Sequence, residues 1–126
     1  MAILCIDYGR VHLGLALAES FLAEPLLTLP RGQELEKLKT IINHHHIEVI
    51  VFGLSEGIIG EETREYAQKL STTLNLPVVF QDETLSSQEA KVKLRHKHQR
   101  KRGGADHHYA AALILQDYLD SQPLLQ

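Results

Sequence analysis

Tryptophan is absent, and the 126 residues include one cysteine, one methionine and three phenylalanines. A lone thiol excludes an intrachain disulfide, and Cys5 sits inside an apolar run, where a thiol is an inert core group and a poor nucleophile. No apolar stretch approaches the ~20 residues that a membrane span requires. The opening MAILCIDYG has neither a basic n-region nor a small-residue cleavage site. Together these absences predict a cytoplasmic protein in a reducing compartment, with no membrane partner. Internal repeats and low-complexity linkers are missing too. The length fits one domain, residues 1–126, and 44% apolar with 23% charged residues is an ordinary globular composition.

What is present organises itself around one carboxylate. Residues 3–6, ILCI, form a continuous apolar run that reads as a strand covered on both faces, and Asp7 stands at its end. Tyr8, Gly9 and Arg10 then make a turn, and residues 13–18 resume an apolar strand, so the pattern predicts a β-hairpin with an acid at its entrance. Gly9 leaves room beside that acid for close approach of backbone or ligand.

Beyond the hairpin, strand and helix signals alternate. Pro25 and Pro30 bracket LLTL, a short extended segment that the two prolines confine to an edge or boundary. Leu35, Leu38, Ile41 and Ile42 give an amphipathic helix over 33–44, and the β-branched run 47–53 a buried strand. Gly57 and Gly60 mark a loop. A second helix is predicted over 61–75, and Pro77 opens a strand, VVFQ, that ends at Asp82-Glu83. Ser86 and Glu89 carry the capping-box spacing for a helix start, Gly103-Gly104 break that helix, and a last one is expected over about 106–119. Single helices between strands imply right-handed parallel crossovers. The expected fold is therefore α/β, a mixed sheet with a parallel part and an antiparallel hairpin edge.

Charge is unevenly distributed. The formal net charge is -3, yet residues 91–102, KVKLRHKHQRKR, hold seven of the thirteen basic residues and no acid, leaving a net -10 on the rest. A run of this kind suits either a solvated helix face or a phosphate-contacting segment. Asp7, Asp82-Glu83 and Asp106 stand at strand ends or a helix start. In a parallel sheet the strand ends gather on one edge, where open α/β folds place ligands. Converging carboxylates need a divalent cation, and oxygen donors without a Cys ligand suit Mg²⁺ or Mn²⁺. Two such ions roughly 4 Å apart can activate water and stabilise a leaving oxygen in phosphodiester cleavage. Acids plus a basic arm suggest a nuclease, although Asp82 could equally cap a turn and Asp106 N-cap its helix.

Four segments in order, DYGRVHLGLA, GLSEGIIGEETREYAQKL, LPVVFQDETLSSQEA and AAALILQDYLD, resemble the YqgF/RuvX family, and the match covers nearly the whole chain. Members of that family are described as Holliday junction resolvases and as nucleases that process the 5′ end of pre-16S rRNA. The resemblance implies a ribonuclease H-like fold with helices on both faces of the sheet and an acidic, Mg²⁺-dependent site. It assigns the first acid to Asp7 and the second to the Asp82-Glu83 pair, of which Glu83 is favoured because adjacent strand residues face opposite ways. Three positions depart from the family pattern. His12 stands where a basic residue or serine is common, Ser55 where proline is usual, and His107 where alignment on ILQDYL puts the third acid, one residue after Asp106.

The full expectation is a single-domain nuclease with Asp7, Glu83 and Asp106 as catalytic metal ligands and Asp82 as understudy. Arg10, Lys97, Arg100, Lys101 and Arg102 would contact phosphates. The expected substrate is a precursor of 16S rRNA, with branched DNA second, and the expected state a monomer or homodimer. A non-catalytic nucleic-acid or ribosome-assembly binding module is the competing class. Seven of eight histidines lie in clusters: His44 to His46, expected as a solvated helix end; His96 with His98; and His107-His108, nearest the acids.

Overall fold

A computed structural model describes residues 1–82 and 107–122, and these described residues form five strands and three helices. The elements are β1 (Ala2–Asp7), β2 (His12–Ala18), β3 (Glu24–Pro30), α1 (Glu34–His45), β4 (Ile47–Leu54), α2 (Ile58–Leu74), β5 (Val78–Asp82) and α3 (His107–Asp120). They form one mixed sheet in the order β3-β2-β1-β4-β5. The hairpin β1-β2 and the pair β2-β3 are antiparallel, whereas β1-β4 and β4-β5 are parallel. The mixed sheet expected from the alternation of elements is the one observed. The predicted helix after Ser86 lies outside the described residues.

Alternation along β1 divides the core in two. Leu4 and Ile6 pack with Leu13, Leu15, Phe52, Leu38 and Leu70 beneath α1 and α2, while Ile3 and Cys5 pack with Ala16, Val51, Ala111 and Ile114 beneath α3. With no tryptophan available, Phe52 is the largest fully buried side chain, its ring edge-on to Tyr66 and tilted against Phe80 at centroid distances of 6.1 and 6.3 Å. The α3 side is lined with small residues, Ala16, Ala18, Ala110 and Ala111, and this lets the helix lie close to the sheet.

Two boundaries differ from expectation. Helix α2 begins at Ile58, three residues before the predicted start, with Gly57 at φ 86° just ahead of it. Gly60 is inside the helix because a Cβ there would overlap the carbonyl oxygen of Ser55, so it serves close approach and not a loop. The proline-bracketed segment is a full edge strand, with Pro25 and Pro30 both inside β3. Helix α1 ends as expected at the histidines: His46 adopts a left-handed cap (φ 57°) whose N–H donates to Ile42 O, and His45 Nδ1 lies 3.2 Å from Glu19 Oε2.

Candidate active site

Residues 3, 5 and 7 share a face, so Asp7, the last residue of β1, stands on the α3 side of the sheet. Its partner across the antiparallel pair is Gly14. A Cβ on Gly14 would overlap the carbonyl of His107, and this contact fixes the first turn of α3 directly above the strand pair that carries Asp7. Gly53 of β4 is likewise covered by Ile114, whose Cδ1 would be 2.6 Å from an added Cβ. Two glycines thus bring the helix start to the acid. The N-terminal end of a helix presents unpaired N–H groups and a partial positive charge, favourable for anions.

Histidines surround that junction. The rings of His12 and His107 stack at 5.3 Å with an interplanar angle of 21°. His108 meets Thr28 of β3 twice: its backbone N–H donates to Oγ1 at 3.2 Å, and its Nδ1 lies 2.8 Å from the same oxygen. Thr28 therefore satisfies one of the unpaired N–H groups at the start of α3, so His108 has a structural role there. His12, at the position where the family resemblance implies a basic residue or serine, packs its ring on the helix start.

Asp82 ends β5 on the opposite face. It shares that face with Phe80, which packs beneath α2 against Phe52, and its register partner is Leu54. Of the Asp82-Glu83 pair, the described member points away from the side of Asp7. Glu83, Asp106, Lys97, Arg100, Lys101 and Arg102 lie outside the described residues. Among the described residues, no group of three or more His, Cys, Asp or Glu is placed to hold a metal ion.

The turn after Asp7 is held by a network that the sequence pattern did not reveal. Arg10, expected to meet phosphate, forms a two-point pair with Glu62 of α2, Nε to Oε1 at 3.0 Å and Nη2 to Oε2 at 2.5 Å. This guanidinium holds the Glu62 carboxyl below the usual carboxylate range. Arg31, just past β3, packs its guanidinium against the paired rings of Tyr8 and Tyr66, which lie 5.3 Å apart, at 5.1 and 4.7 Å from their centroids. Burial would raise the Glu34 carboxyl, but its own N–H, the Tyr66 hydroxyl (2.9 Å), the Gly32 N–H (2.7 Å) and Arg31 (3.2 Å) outweigh that and lower its pKa. Burial, followed by the hydrogen bond to Glu34, raises the Tyr66 hydroxyl.

A pH effect follows with a definite sign. A carboxyl whose pKa is lower folded than unfolded stabilises fully above its ordinary value, here 4.5, and ceases to do so as pH falls through the lower folded value. Denaturant titrations from pH 7 down to 3 should show stability dropping below pH 4.5, and Glu34→Gln should remove part of that drop. A mutant with the same pH slope as the parent would show that Glu34 is not a contributor.

The architecture defines the class first. The structure is similar to T. thermophilus RuvC in complex with Holliday junction substrate, with a TM-score of 0.59, 15% identity and coverage of 93% of this chain and 90% of that one. It is similar also to Fowlpox virus resolvase with Holliday junction DNA, with a TM-score of 0.60, 12% identity and full coverage of both chains. The fold is ribonuclease H-like. Within that class, the family described as "RuvX: Holliday junction resolvase" matches residues 1–121, and the chain belongs to it. Curated relatives bear the provisional name pre-16S rRNA nuclease. The one from Roseiflexus sp. (strain RS-1) is 31% identical, covering 95% of this chain and 94% of its own. That from Syntrophus aciditrophicus (strain SB) is 34% identical, covering 96% and 89%.

Proposed function

We propose that this chain is a metal-dependent nuclease that hydrolyses phosphodiester bonds in structured nucleic acid, acting on the 5′ end of pre-16S rRNA. The observation that carries the reading is the location of Asp7: it ends a parallel-sheet strand and stands under the first turn of α3, where an anionic phosphate would meet both the acid's cation and the helix end. The relatives' names and the resolvase neighbours support it. Asp7 supplies hard oxygen donors, the kind that suit Mg²⁺ or Mn²⁺. Glu83 and Asp106 would complete the set, with Asp82 outside it by its face. A bound divalent ion would supply an activated water and charge stabilisation at the leaving oxygen.

Arg10 and the basic run would hold the backbone. For Arg10 to meet a phosphate, that phosphate must replace Glu62 in the guanidinium fork. Changing Lys97, Arg100, Lys101 and Arg102 together to Ala should weaken binding and shrink the slope of log Kd against log salt by roughly 3 to 4, about 0.7–0.9 per lost phosphate contact. An unchanged slope, measured by fluorescence anisotropy, would remove the arm from the interface.

The test of function is cleavage of a pre-16S 5′-end RNA and a four-way DNA junction, each with Mg²⁺ and with chelator. Metal-dependent cutting of the RNA is expected, and preferential cutting of the junction would favour the DNA resolvase reading. His107, a non-acid as the first residue of α3, favours a second reading: a binding module with a weakened site, which would bind both and cut neither. The cell compartment proposed is the cytoplasm; no helix among the described residues is long and apolar enough to cross a membrane. The working state proposed is a monomer or homodimer.

A further inference from the structure

The carboxylate of Asp7 has to be held within about 0.5 Å of its working place to share a cation with other acids, yet it adjoins a four-residue turn, 8–11, that carries a glycine and is largely exposed. Besides the Arg10–Glu62 pair, one side chain binds the turn's backbone. Arg31 donates from Nη1 to Gly9 O at 2.9 Å, and its backbone N–H donates to Val11 O at 2.8 Å, so the two carbonyls flanking Arg10 are tied to the same residue. Its guanidinium packs against both Tyr8, next to Asp7, and Tyr66 of α2, whose rings also contact each other. Glu34 of α1 fixes the other side of the fork at Nε and accepts the Tyr66 hydroxyl as well.

We propose that Arg31 is a positioning residue for the acidic site: it locks the 8–11 turn from the α1/α2 side of the sheet and so sets the direction of the Asp7 carboxylate on the α3 side. This rests on the nuclease reading above. Arg31 is assigned to positioning and not to phosphate contact because Nη1 donates to Gly9 O, Nε donates to Glu34, and the guanidinium packs against the paired rings of Tyr8 and Tyr66. Lysine cannot replace it. An ammonium has neither the planar stacking surface nor the fork that reaches Gly9 and Glu34 together.

The test uses the full chain as wild type, Arg31→Lys and Arg31→Ala, with three readings on each: steady-state cleavage in Mg²⁺, Mn²⁺ affinity by paramagnetic broadening of Asp7 resonances, and thermal melting. Both variants should lose about ten- to a hundredfold in kcat, the range for a group that orients a metal ligand. The KM for nucleic acid should rise by no more than about threefold, because only Arg10 of the five proposed phosphate contacts lies in this turn, and the Mn²⁺ needed for half-maximal broadening should rise by about tenfold. The Lys variant keeps the charge and guards against a variant that fails to fold. Unchanged kcat and Mn²⁺ affinity in a folded Arg31→Lys would overturn the proposal, as would a larger rise in KM with a shallower salt slope, which would make Arg31 a phosphate contact. A wild type that neither cuts nor binds Mn²⁺ near Asp7 would instead defeat the nuclease reading, and this proposal with it.

Discussion

Asp7→Asn is expected to reduce Mg²⁺-dependent cleavage by more than about a hundredfold, beyond the 10- to 100-fold range of changes that only orient a ligand, while nucleic-acid affinity stays within a factor of two or three. The substitution is nearly isosteric and leaves the backbone pairing of β1 with Gly14 and with β4 in place. What changes is charge. A carboxylate offers a cation two anionic oxygens, whereas an amide offers one neutral carbonyl, too weak a donor to draw a hard divalent ion from its water. Binding is expected to survive because the proposed phosphate contacts are basic residues and not Asp7, and removing one negative charge lessens repulsion of the phosphates. The check is single-turnover cleavage beside equilibrium binding on the same RNA. Cleavage that persists in Asp7→Asn would place the chemistry elsewhere on the chain.

Gly14→Ala should have the largest effect on stability of any single added methyl group in β2. The new Cβ would meet the carbonyl of His107 and lie 2.9 Å from its Cβ. The main obstruction is helix backbone, which has no rotamer to change, so α3 must move off the sheet. Overpacking costs 1–3 kcal/mol in typical cores; with backbone as the obstacle, the upper end, about 3 kcal/mol, is expected, a melting temperature lower by on the order of 10 °C. Cleavage should fall as well, since the displaced helix start carries His107 away from Asp7. Gly53→Ala is the internal control. Its methyl meets the tip of Ile114, a side chain that can rotate, and its cost should be smaller. A melting temperature for Gly14→Ala no lower than for Gly53→Ala would contradict the close approach at the helix start.

These two residues illustrate what a sequence can disclose. Asp7 was legible because an apolar run ending in an acid is a local pattern, and strand period and parallel topology then fix its edge and face. Gly14 was not, because its importance comes from His107, 93 positions away. The same holds for Arg31: between Pro30 and Gly32 it reads as a turn residue, and only the fold brings Tyr8, Glu34 and Tyr66 around it. Helix α2 began earlier than its residues suggested because Gly60 meets a steric demand of its own entry loop, the close approach of the Ser55 carbonyl, that outweighs its weak helix propensity. Edge strand β3, by contrast, followed directly from two prolines that no central strand could accept.

That edge has a bearing on assembly. Extending the sheet by another strand requires a row of outward donors and acceptors, and β3 lacks an N–H at two of its seven positions. That disfavours a second molecule zipping onto this side to make a continuous ten-stranded sheet. A two-fold pair suited to a symmetric four-way junction would have to meet through helices or the β5 flank, and the β3 margin resists the ladder-like stacking that leads to fibrils.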